Sequence, residues 1–295
     1  MSRLRTALES GRFVVTAQVQ PPKGVDLDKC LSDADRLRGK VTAINVPDQE
    51  NAVMRIAPLT VAAKLVERGL EPICHVTCRD RNRLALQSDL LGAWALGIRN
   101  VLCLTGADPL LGDDSEAKPV YDFDSVQLLR AVCTLNQGRD CAGHELEGRP
   151  DFFAGAAVAP RADPLERQLD TMKRKMDAGA RFFQTQAVYE PARFEEFMDR
   201  AQSLDVPVMA GVVVLKSPGM AKYINETLAG IEVPDGIIEE LAETFGEERK
   251  RKTVEISARI IRELKPLCHG VHIMPLGWDE LVPEIIREAE LCWSI

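Results

Sequence analysis

No stretch of this sequence approaches the roughly 18 consecutive apolar residues of a membrane span. Its opening, Met1-Ser2-Arg3-Leu4-Arg5, lacks the apolar core of a signal peptide. There is no short-period internal repeat and no low-complexity tract. Excess positive charge is also missing: 37 Lys and Arg stand against 45 Asp and Glu, a net charge of −8, which argues against a general nucleic-acid binder. The eight cysteines are scattered over 295 residues, and so read as reduced thiols in the cytoplasm rather than a disulfide framework. No G-x-G-x-x-G follows the first strand pattern, and no G-x-S-x-G elbow presents a nucleophilic serine. Membrane-inserted, secreted, disordered and disulfide-stapled classes are set aside.

What is present is a regular alternation. Strand patterns are predicted at Arg12–Val19, Val41–Val46, Pro72–Thr77, Ile98–Leu104, Phe152–Val158, Arg181–Gln186, Val206–Val214 and Val271–Met274. Helical periodicity fills the intervals, with several helices between Ser217 and Leu264 and a closing helix over Trp278–Leu291. One helix carries a predicted capping box, with Asp163 at the N-cap, Pro164 at the first position and Glu166 at the third. Its buried stripe is Leu165, Leu169, Met172 and Met176. The charged run Gly246–Lys252 reads as a solvated helix start. Eight β/α alternations without a composition break predict an α/β fold, a single (β/α)₈ TIM barrel over residues 1–295, with an open doubly wound sheet as the alternative.

In such a barrel the chemistry sits at the C-terminal ends of the strands. Those ends are polar here: Gln18 and Gln20; Asn45, Asp48 and Gln49; His75 and Thr77; Thr105-Gly106-Ala107-Asp108; Gln184-Thr185-Gln186. That content suits a polar ring held by hydrogen bonds better than a single charge. Cys74 and His75 have ligand-like spacing but alternate across a strand, so packed thiols are the better reading than zinc. Lys23, Lys173 and Lys175 are Schiff-base candidates by type, yet none lies in a barrel strand. The run Lys173-Arg174-Lys175 suits a phosphate or pyrophosphate, and equally suits a solvated basic helix end.

The segments Thr16-Ala17-Gln18-Val19-Gln20-Pro21-Pro22-Lys23, His75-Val76-Thr77-Cys78, Leu104-Thr105-Gly106, Lys173 to Ala180 and Thr185-Gln186 follow one another in a familiar order. The chain resembles the methylenetetrahydrofolate reductases, most closely the short type of acetogenic and other anaerobic bacteria. The resemblance implies flavin-dependent reduction of 5,10-methylenetetrahydrofolate to 5-methyltetrahydrofolate in one-carbon metabolism. It implies FAD contacts from His75, Thr105, Gly106, Ala162, Gln168, Thr171, Arg174 and Lys175, and folate or nicotinamide contacts from Gln186 and Gln20. Electrons would come from NAD(P)H or from a partner subunit, in a homo- or hetero-oligomer.

Two positions depart from the family pattern. Gln18 stands where the family usually has the glutamate that supplies a proton, and an amide is no general acid near neutral pH. Ala107 stands where an aspartate is common, with Asp108 beside it. Gln18 and Asp108 are therefore the candidate catalytic positions, with Asp48 and Glu50 as other sources of an acid. A reductase with an altered acid competes with two alternatives. One is an electron-relay or non-catalytic flavoprotein subunit; the other is a flavin barrel acting on a different C1 carrier.

Overall fold

The computed structural model describes residues 1–228 and 230–291. Eight parallel strands close on themselves in chain order: β1 Val14–Gln18, β2 Ala43–Val46, β3 Pro72–Thr77, β4 Asn100–Leu104, β5 Phe153–Val158, β6 Phe182–Ala187, β7 Val208–Val213 and β8 Gly270–Met274. Pairing of Val14 with Gly270 and Thr16 with His272 shuts the cylinder. The predicted barrel is correct and the open sheet is not. The helices are α1 Arg3–Glu9, α2 Asp28–Arg36, α3 Pro58–Glu67, α4 Arg83–Ala95, α5 Ser125–Asn136, α6 Leu165–Asp177, α7 Pro191–Ala201, α8 Pro218–Thr227, α9 Asp235–Ala242, α10 Gly246–Leu264 and α11 Val282–Glu288.

Alternation along each strand divides the core in two. Residues such as Val15, Ala17, Ile44, Cys74, Val76 and Val101 point outward and pack under the helices. Val14, Ala43, Ile73, Leu102, Phe153, Phe182 and Met209 point inward and fill the lower barrel, where the Phe153 and Phe182 rings stack 5.2 Å apart. Helix α1, which periodicity did not reveal, plugs this end with Leu4, Ala7 and Leu8. Seven residues are too few for a helical period to stand out. Glu71 anchors α1 by accepting from Arg3 N (2.7 Å) and Leu4 N (2.8 Å).

The capping box is misplaced in the sequence reading. Helix α6 starts at Leu165 with Pro164 at the N-cap, so no side chain caps it. Pro164 has extended backbone (ψ 143°), which moves Asp163 outside the helix, and Glu166 pairs instead with Arg200 of α7 at 2.5 Å. The α6 stripe is also only half-buried apart from Met172. A complete capping box occurs at α5, between Asp124 and Gln127. The closing helix is a 3₁₀ turn, Asp279–Leu281, followed by α11. The charged run does open α10, as predicted.

Candidate active site

A cavity of about 220 Å³ opens at the C-terminal end of the barrel. Its floor is a polar layer built from inward strand positions. Asn45 of β2 donates from Nδ2 to His75 Nε2 (2.8 Å) and to Gln184 Oε1 (2.6 Å), and Gln184 Nε2 returns a bond to Asn45 Oδ1 (3.2 Å). Because the Asn45 amide nitrogen is the donor, His75 Nε2 is the acceptor and the ring proton sits on Nδ1. Burial lowers the His75 pKa to about 3, so the ring is neutral. His272 of β8, 3.0 Å from Thr16 Oγ1, is lowered to about 3 by burial and secondarily by His75.

Above this layer stand Gln18, Thr77, Leu104, Ala157, Gln186 and Met274. The buried Gln18 donates from Nε2 to Glu50 Oε2 at 3.1 Å. Gln20 is satisfied when its amide nitrogen also faces Glu50 Oε2 (3.2 Å) and its oxygen faces Arg55 Nε (2.6 Å). Burial raises the Glu50 pKa above the ordinary carboxylate value, while the Gln18 hydrogen bond and the Arg55 charge pull the other way. Asp48 is differently placed. Its Oδ2 accepts from Thr77 N (2.8 Å), Thr77 Oγ1 (2.9 Å) and the Arg81 guanidinium. It therefore serves as an acceptor that ties β2 to β3.

The segment bearing Glu50 is held in an uncommon conformation. Gln49, Asn51 and Ala52 all have left-handed φ, at 49°, 55° and 58°. Such non-glycine residues persist where surrounding structure over-determines them. Here Arg79, almost fully buried, donates to Gln49 O at 3.2 Å. Gly112 lies so close to Ala52 that a Cβ would meet its carbonyl oxygen at 2.1 Å. Lys23 pairs with Asp113, which also accepts from Met54 N. Loops after β1, β2 and β4 thus clamp one another around the carboxyl.

A family model for methylenetetrahydrofolate reductase matches residues 3–290. The chain belongs to the methylenetetrahydrofolate reductase family. Methylenetetrahydrofolate reductase 2 of Schizosaccharomyces pombe is 28% identical over 245 residues, which are 78% of this chain and 37% of that protein. The 5,10-methylenetetrahydrofolate reductase of Pectobacterium carotovorum is 28% identical over 233 residues, 76% of this chain and 72% of that one. The chain thus spans little more than a third of the yeast relative and nearly three quarters of the bacterial one. Among solved structures, a Clostridium thermocellum protein that binds two copies of 5-methyl-5,6,7,8-tetrahydrofolic acid superposes with a TM-score of 0.66, 14% identity and coverage of 98% and 99% of the two chains. A 2,3-dimethylmalate lyase superposes at 0.54 with 13% identity, covering 98% of this chain and 86% of its own. At these identities the structural likenesses establish the barrel alone.

Of the residues singled out from the sequence, Gln18, His75, Gly106 and Gln186 line the cavity, and Gln20 borders it through Glu50. Gly106 needs its φ of 96°, and a Cβ there would meet Arg79 Cβ at 2.9 Å. Thr105 Oγ1 accepts from Ser125 N, at the start of α5. Lys175 turns inward and donates to the carbonyl of Ala157, a cavity residue, at 2.7 Å. Burial lowers its pKa, opposed chiefly by Asp124. Gln168, Thr171 and Lys175 follow one face of α6 at spacings of three and four, while Lys173 and Arg174 are exposed. Ala162 lines a separate hollow between the β5–α6 loop and α7.

Asp108 is not brought to the cavity. It is exposed and caps the short turn Pro109–Leu111, accepting from Leu110 N at 2.9 Å. Neither Arg79 nor His272 is among the candidate residues read from the sequence. Period-two alternation of Gly270, His272 and Met274 was the available signal for the latter. Nothing local marks Arg79. Cys74 and Cys78 lie buried outside the barrel, and burial raises both thiols to about 12. The seven cysteines among the described residues are free, and Cys292 lies outside those residues.

Proposed function

We propose that the barrel mouth reduces 5,10-methylenetetrahydrofolate to 5-methyltetrahydrofolate with FAD as its redox group. The observation that carries this reading is the coincidence of the family match over residues 3–290 with one cavity lined by Gln18, His75, Gly106 and Gln186 from four different strand ends. Binding of a methylated folate by the Clostridium thermocellum protein of the same fold supports a folate as substrate.

The residues present fit a flavin. Among the described residues Gln186 Oε1 is buried beside Gly230 without a hydrogen-bond partner, so its amide is free to turn toward a ring N–H. Leu102, Leu104, Ala107, Ala157 and Met274 supply apolar surface for a planar ring. The volume is below the roughly 300–1,000 Å³ of pockets that enclose a drug-sized ligand. Only the ring system belongs inside, with the phosphates across the rim toward Thr105, Gln168, Thr171, Arg174 and Lys175. When bound, FAD supplies the two-electron hydride chemistry. The protein's part is to seat the ring on the neutral Asn45–His75–Gln184 layer and to present amides to both ring and folate.

Anaerobic half-reactions test the reading. The purified protein is loaded with FAD and reduced with NADH or NADPH, then mixed with methylenetetrahydrofolate. Reoxidation of the flavin with formation of 5-methyltetrahydrofolate is the expected result. Reduction by the nicotinamide without reoxidation favours the electron-relay alternative, and a chain that takes up no FAD defeats the proposal.

A further inference from the structure

We propose that Glu50 is the general acid of this site, doing from the loop after β2 what the amide of Gln18 cannot do from β1. The assignment rests on the folate-reductase reading above and names the proton donor it requires.

The chemistry demands such a donor. The methylene carbon of the substrate bridges N5 and N10, and the C–N10 bond must break before the carbon can take a hydride. Its electron pair goes to N10, leaving an N5=CH₂ iminium. A proton delivered to N10 makes the leaving group a neutral amine rather than an amide anion. The iminium carbon would then take one hydride, the two-electron chemistry that bound FAD would supply, to become methyl. One proton and one hydride are consumed, and the carboxylate left behind regains its proton from solvent.

Among the described residues, two carboxyl groups line the cavity, Asp48 and Glu50. Asp48 carries both Thr77 donors and the Arg81 guanidinium on Oδ2, and its Oδ1 is buried with no partner among the described residues. Glu50 is hydrogen-bonded by no cation among them: the neutral amides of Gln18 and Gln20 both meet Oε2, and Oε1 accepts from no described residue. A proton on Oε1 is therefore free to point into the cavity while Oε2 keeps its hydrogen bonds. The three left-handed residues around Glu50 and the clamp of Arg79, Gly112 and the Lys23–Asp113 pair hold that carboxyl in place.

The charged surroundings are few. Arg55 faces Glu50 from its own loop, Asp48 is paired with Arg81, and Arg79 with Asp80. His75 and His272 beneath are uncharged, their pKa values lowered to about 3. Burial raises the Glu50 pKa, which keeps more of it protonated at working pH.

Glu50→Gln keeps an acceptor for Gln18 and removes the proton. The methylene half-reaction should fall about 10²–10⁴-fold, while flavin reduction by NAD(P)H falls less than about tenfold. An acid must be protonated to act, so the native rate should decline as pH rises through the Glu50 pKa. That decline should vanish in the variant. Adding Gln18→Glu to Glu50→Gln should restore at least about tenfold of the loss. A readout without turnover is the thermal midpoint against pH. A carboxyl raised by the fold loses its contribution as pH rises through the folded pKa, so the native protein should fall below Glu50→Gln at neutral pH and converge with it below about pH 4. A Glu50→Gln protein with the native methylene rate and pH profile overturns the assignment. A native protein whose flavin is reduced but never reoxidised by methylenetetrahydrofolate overturns the folate reading, and the assignment falls with it.

Discussion

Asn45 and Gln184 clasp each other across the barrel interior, amide to amide, at 2.6 and 3.2 Å. They come from β2 and β6, strands that share no edge. The pair fixes which way each amide faces, and so fixes His75 as an acceptor on Nε2. Asn45→Ala leaves Gln184 and His75 buried without that partner. Each unsatisfied buried group costs about 1–3 kcal/mol, so chemical denaturation should show a loss of about 2–6 kcal/mol. Asn45→Asp should lose as much at neutral pH, because a carboxylate repels the Gln184 oxygen it faces.

Flavin retention should depend on the basic end of α6. Replacing Arg174 and Lys175 together by alanine removes two cations, one exposed and one reaching the Ala157 carbonyl. A hydrogen bond to a charged group contributes about 1.5–3 kcal/mol, so the Kd for FAD by fluorescence quenching should rise at least about tenfold. An unchanged Kd would move the phosphates elsewhere on the rim.

Gln18→Glu alone brings a second carboxyl within hydrogen-bonding distance of Glu50, which Gln18 meets at 3.1 Å. Two carboxyls sharing a site hold one proton jointly, to a higher pH than either alone. Methylene reduction should therefore persist to higher pH than in the native protein, and its rate should increase. Stability should change with the opposite preference: as pH rises and the shared proton leaves, two facing carboxylates repel and the thermal midpoint drops. A pH–rate profile and a melting series in the same buffers check both statements.

The floor of the barrel offers a test independent of chemistry. Leu4 is fully buried where α1 plugs the cylinder. Leu4→Ala should cost about 2–5 kcal/mol by the transfer and cavity terms of a large-to-small core change. Urea unfolding measures this directly. A loss under about 1 kcal/mol would mean that α1 is not an integral part of the core.

Much of this molecule was legible in the order of its residues. Strand and helix periods are local properties, and eight alternations suffice to predict a closed barrel because parallel strands need helical crossovers on one hand. The polar strand ends pointed to the cavity at the barrel mouth for the same reason, since alternation puts Gln18, Asn45, His75 and Gln184 inside together. Tertiary structure decided which of the nearby acids could matter. Asp48, Glu50 and Asp108 are alike in sequence, each a carboxyl just past a strand. Only the fold directs Asp48 to Arg81, turns Asp108 outward as a cap, and lays Glu50 against Gln18. Those outcomes depend on loops meeting across the barrel mouth, with Gly112 against Ala52 and Lys23 on Asp113. The order of residues along a chain determines local periods; contacts between residues tens of positions apart arise only when the cylinder closes.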